Sequence, residues 1–133
     1  MKKNLIILTI MVFTLAASVA MAKTSAVTIE GSFNGALCAF YEKQCPAELT
    51  DAHIAIERDF LLRDAKGKDY VVVNLPRSTK VRHLNEKIKI SGKINDRGSI
   101  FADRLDIYKN DGFVTVWNLK DQLAEREHEL RSR

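Results

Sequence analysis

The chain carries only two cysteines, two prolines, one tryptophan and three histidines in 133 residues. The histidines, His53, His83 and His128, are scattered, and Cys38 and Cys45 match no zinc-ligand spacing, so no metal site is expected. The sequence has no Ser nucleophile elbow, no Gly-rich phosphate loop and no His-Glu-x-x-His run. Carboxylates are plentiful, yet none sits in an apolar setting that would raise its pKa for acid catalysis. Even His128 lies in Glu127-His128-Glu129, which reads as a charged helix face. The expectation is a non-enzymatic chain without a cofactor. Internal repeats and low-complexity segments are also lacking.

What is present begins with an export signal. Lys2 and Lys3 give a positive start, residues 5–17 a continuous apolar stretch, and Ala20-Met21-Ala22 a small-x-small cleavage site, so residues 1–22 read as a signal peptide. The apolar stretch is short for a spanning helix, and no stable membrane span is expected after cleavage near Lys23. Setting aside the first 22 of 133 residues leaves 111, enough for one domain with a modest core. The formal charge falls from +4 to +2 as Lys2 and Lys3 leave, so despite a pI near 9.1 any anion site must come from a local cluster. A periplasmic or secreted location follows, and its oxidising conditions favour a Cys38–Cys45 disulfide. Closing so short a loop removes about 2.5 kcal/mol of unfolded-chain entropy.

The remaining chain alternates in the manner of strands. Val27, Ile29, Gly31 and Phe33 share one face of a first strand, and Gly31 marks a bend. The cysteine loop follows, with Phe40 and Tyr41 near its tip and Pro46 placed to start a helical turn through Ala47, Glu48 and Leu49. Ile54, Ile56, Phe60 and Leu62 resume even-numbered alternation, which predicts one long or bulged second strand over residues 54–63. Asp64-Ala65-Lys66-Gly67 turns the chain into a run at Tyr70 to Val73 that reads as buried on both faces. Pro76 ends that run, and a loop or single helical turn precedes the next strand.

Over residues 87–94, Ile88, Ile90, Gly92 and Ile94 face inward while Lys87, Lys89, Ser91 and Lys93 face out. Turns at Asn95-Asp96-Arg97-Gly98 and Asn110-Asp111-Gly112 bound a strand in which Leu105 and Ile107 fall out of phase with Ile100 and Ala102. One extra residue near Asp103 and Arg104 would restore the phase, as a β-bulge does. A short last strand, Phe113 to Trp117, leads to a helix N-cap at Asn118 with Asp121 in the first turn. Leu119, Leu123 and Leu130 make only a thin apolar stripe, so this tail helix is expected to lie on the barrel edge and fray beyond Arg126. The fold class is mainly β: a small OB-type five-stranded barrel over residues 23–117 and a charged C-terminal α-helix over residues 118–133.

Val27-Thr28-Ile29-Glu30-Gly31, Phe60-Leu61-Leu62-Arg63-Asp64-Ala65-Lys66-Gly67, Ile88-x-Ile90-x-Gly92-Lys93-Ile94 and Ile100-x-Ala102-x-x-Leu105 resemble the pattern of stand-alone OB-fold proteins exported by bacteria. The resemblance runs to about Tyr108, and the cysteine loop and charged tail depart from it. It implies a binding or protective domain in the periplasm, with no catalytic residues to carry over.

Two sets of residues are candidates for contact with a ligand. Arg77, Lys80, Arg82, Lys87, Lys89 and Lys93 form a basic set that either holds an anionic ligand, glycan or envelope component or is a solvated face guarding a strand from edge pairing. Nucleic acid is not the expected partner, because single-strand binding adds aromatic stacking that the lysine-bearing strand lacks. Phe40 and Tyr41 either meet a ligand or pack under the disulfide, whereas Tyr70 is expected in the core and Trp117 as a plug between barrel and helix. A partner docked on the leucine stripe of the tail helix is the alternative use of the molecule.

Overall fold

A computed structural model describes residues 24–45, 51–84 and 86–132. The expected signal peptide and the helical turn after Pro46 lie outside these residues. The molecule is built on its first strand, β1 (Ser25–Gly35), which is long enough to serve two neighbours. From Ser25 to Gly31 it pairs antiparallel with β4 (Ile88–Ile94), and from Gly31 to Gly35 with β2 (Phe60–Asp64). Gly31 is the handover residue. A Cβ there would lie 2.0 Å from the Arg63 carbonyl oxygen, so only glycine lets the strand bend this close to its partner.

The turn after β2 is held by Asp64, whose Oδ1 accepts the Lys66 and Lys68 amides at 2.8 and 2.9 Å, while Gly67 takes a φ of +80°. These amide hydrogen bonds, Lys68 foremost, hold the Asp64 carboxyl below its usual pKa. β3 (Asp69–Val72) then runs parallel to the start of β5 (Ser99–Lys109), Val71 opposite Ser99 and Val72 opposite Ile100. That pairing closes the five strands β3-β2-β1-β4-β5 into a barrel, with α3 (Arg77–Arg82) in the β3 to β4 connection, the OB-type arrangement. Asn74 extends the closure past the end of β3: its side chain both donates to the Ala102 carbonyl and accepts the Ala102 amide, each at 2.7 Å. The amide of a side chain here replaces a rung of the ladder.

Inside the barrel, Phe33, Phe60, Leu62, Val72, Leu75, Leu84, Ile88, Ile90, Ile100, Leu105 and Ile107 are buried. Each such side chain contributes about 1.5–3 kcal/mol by leaving water. The bulge stands where the phase change placed it. Ser91 pairs with Arg104 and Gly92 with Ala102, so Asp103 is the extra residue. A second bulge, in β6 (Gly112–Asn118), leaves Val116 between the pairs Leu105–Trp117 and Asp106–Thr115. Left-handed φ values at Asn110 and Asp111 make the tight turn joining β5 to β6.

Several expectations are corrected. Residues 54–63 are not one strand: α2 (Asp51–Ile56) is helical and β2 starts only at Phe60. Arg77 caps the helix end: its guanidinium donates to the Ile54 carbonyl of the last turn and to the Glu57 carbonyl just beyond it. The run at Tyr70 to Val73 is buried on one face alone, with Val72 inside and Val71 and Val73 exposed. The cysteine loop includes a short helix, α1 (Ala36–Phe40). Finally, α4 (Leu119–Arg131) runs well past Arg126, capped by Asn118 accepting the Asp121 amide at 2.8 Å and closed by an Arg131–Glu127 pair at 3.1 Å.

Candidate binding surfaces

The cysteine loop is anchored by residues remote from it in sequence. Helix α1 starts after Gly35, which has no side chain to cap it. Glu57 supplies the cap instead: its carboxylate accepts the Leu37 amide at 2.8 Å and the Cys38 amide at 3.4 Å. The missing side chain makes this possible, because a Cβ on Gly35 would stand 2.2 Å from Glu57 Oε1. On the returning arm, buried Asn34 donates through Nδ2 to the Lys43 carbonyl at 3.0 Å and accepts the Cys45 amide at 2.8 Å. The expected Cys38–Cys45 disulfide is formed, with a Cα–Cα distance of 5.5 Å. Cys45 is buried while Cys38 is half-buried, so the bridge fastens the inner side of α1 to the barrel.

The outer side of α1 is apolar. Leu37, Phe40 and Tyr41 fall at i, i+3 and i+4, one stripe along the helix and its end, and are 44%, 78% and 67% exposed. Phe40 and Tyr41 meet edge to face at 5.3 Å. Of the two positions expected for these rings, the structure shows them in the open and not beneath the disulfide. A short helix with its apolar stripe turned to water, tied at its base by Glu57, Asn34 and the disulfide, presents an apolar contact surface. Cys38, Cys45 and Glu57 offer ligand atoms within 4.8 Å of one another, but the disulfide leaves no thiolate and the helix amides occupy the carboxylate.

The basic set divides in two. Lys80 is corrected: it is 1% exposed, and its ammonium donates to both Asp59 oxygens at 2.8 Å and to the Val72 carbonyl at 2.9 Å. All three of its protons are used inside the fold. Arg77, the first residue of α3, is exposed but directs its guanidinium to the Ile54 and Glu57 carbonyls at the end of α2, and Arg82 is exposed farther along α3. Lys87, Lys89 and Lys93 do share the outer face of the sheet. There Lys87 pairs with Glu30 at 3.2 Å, and Lys89 lies 4.0 Å from buried Asp106.

Pairing register adds two residues that sequence reading missed. Tyr108 and Phe113 stand beside these lysines, with Lys89 Nζ 3.9 Å above the Phe113 ring and Lys87 Nζ 5.3 Å from that of Tyr108. Lys87 and Lys89 thus each have a carboxylate neighbour and an ammonium set over a ring. Tyr70 packs against the core as expected, and so does Trp117. Trp117 Nε1 is nevertheless buried with no hydrogen-bond partner, the sole such side-chain atom among the described residues. Leaving such a donor unmet costs about 1–3 kcal/mol.

No protein-family model, curated protein or solved structure matches this chain.

Proposed function

We propose that this chain is a non-enzymatic OB-fold binding module of the bacterial cell envelope, exported to the periplasm or beyond. It takes an anionic ligand, a glycan or another envelope component through the disulfide-held loop. One observation carries the reading: Leu37, Phe40 and Tyr41 lie exposed on a helix whose base is fixed by Glu57, Asn34 and the Cys38–Cys45 bridge. Exposing large aromatic surface while immobilising its support lowers the ordering cost of binding. The resemblance to exported OB-fold proteins and the disulfide support the same compartment.

The test compares wild type with the Phe40→Ala/Tyr41→Ala variant, both purified from the periplasm of an expressing bacterium, by native mass spectrometry and thermal melting. Wild type should carry added mass that the variant lacks, with equal melting temperatures. A variant that melts lower returns the rings to a packing role, and one that keeps the added mass removes them from the site. A second reading rests on α4, where Leu123 and Leu130 are exposed and would dock an envelope protein. Under that reading, deleting the residues after Asn118 changes the oligomeric state or abolishes partner binding.

A further inference from the structure

We propose a second, independent binding site: the groove between α3, β6 and α4, which takes a saccharide ring. The groove encloses about 410 Å³, within the range of small-molecule sites. Trp117 and Pro76 give it apolar surface, Thr115 and Gln122 neutral polar groups, and Asp121 and Glu125 two carboxylates. No Lys, Arg or His lines it among the described residues, so an anionic ligand would meet two like charges and no counter-charge.

The lining groups have defined roles before any ligand arrives. Thr115 gives its proton to buried Asp106 at 2.7 Å, so towards the groove its hydroxyl acts as an acceptor. Asp121 is steadied by Asn118 Nδ2 at 2.6 Å, which occupies Oδ2 and leaves Oδ1 to accept. Gln122 adds an amide that donates and accepts. A ring that donates hydroxyl protons to Asp121, Glu125 and Thr115 while laying an apolar C–H face on the indole satisfies this set. An ammonium ion could use the same acceptors, but it would leave the Gln122 amide donor and the apolar surface of Trp117 and Pro76 unused.

Trp117 is the single tryptophan of the chain, so its emission reports the site without a label. The full chain is titrated with neutral hexose and N-acetylhexosamine trisaccharides, and in parallel with spermidine. The expected result is a saturable emission change with a trisaccharide, kept in Phe40→Ala/Tyr41→Ala and weakened at least tenfold in Gln122→Ala/Glu125→Ala at unchanged melting temperature. Saturation-transfer NMR on Trp117→Phe tests the aromatic platform: the smaller ring should weaken binding without abolishing it. No change at millimolar trisaccharide overturns the proposal, as does a response to spermidine alone. Undiminished binding by Gln122→Ala/Glu125→Ala overturns it too. Loss of the response in Phe40→Ala/Tyr41→Ala would move the sugar to the loop and leave the groove without a ligand.

Discussion

Glu57 shows how a single side chain sets the geometry of the proposed surface. It is buried, lies twenty and nineteen residues from the Leu37 and Cys38 amides it caps, and stands over a glycine that leaves it room. Glu57→Ala leaves the Leu37 and Cys38 amides without acceptors, and urea unfolding should show a loss of about 1–2 kcal/mol. No local pattern betrays such a cap, because a capping box is read three residues from the helix start and this one is not. Lys80 was equally hidden: in sequence it is one of several bases around Pro76, and only the fold shows it consumed by Asp59 and Val72. Lys80→Ala should cost about 2 kcal/mol, below the range for a fully buried pair, since Asp59 keeps access to water.

Asp64 gives a pH signature at the same scale. Its folded pKa is lowered, first by the Lys68 amide, so its contribution is complete above the unfolded carboxylate range and lost as pH falls through the folded value. In urea melts, the stability difference between wild type and Asp64→Asn should therefore shrink as pH drops from about 5 to 3. A difference independent of pH would assign the effect to turn geometry.

At the scale of elements, legibility followed the period of the pattern. The bulge at Asp103 was readable because one inserted residue throws Leu105 and Ile107 out of phase with Ile100, a change that has few other causes. Helix α2 was not, because Ile54 and Ile56 continue the even-numbered alternation of Phe60 and Leu62, and the side chain that caps its end, Arg77, sits on another element. The one-sided exposure of β3 was unreadable for a similar reason: three consecutive valines look the same whether or not something covers them. The disulfide was legible from the chemistry of the expected compartment, and its element-level role is to hold α1. Cys38→Ala/Cys45→Ala should lose about 2.5 kcal/mol of stability. Hydrogen exchange should rise in α1 and residues 41–45 while the β1–β4 amides stay protected; a uniform rise would make the bridge a global staple.

For the whole molecule, the barrel was legible because its closure uses short-range signals repeated along the chain: a bending glycine in β1, a turn before β3, and a proline before the α3 crossover. The surfaces were less so. Phe40 and Tyr41 were named as candidates, but their exposure depends on Glu57 and Asn34, and the company of Tyr108 and Phe113 with Lys87 and Lys89 depends on strand register. Function is a property of those assembled surfaces. The most direct measurement is a two-dimensional NMR titration of labelled protein with a solubilised envelope extract, before and after reduction of Cys38–Cys45. The account predicts shift changes concentrated in residues 36–45 that vanish on reduction, while the barrel amides keep their positions. Changes confined to α4, or no changes at all, would contradict a binding module that works through its disulfide-held loop.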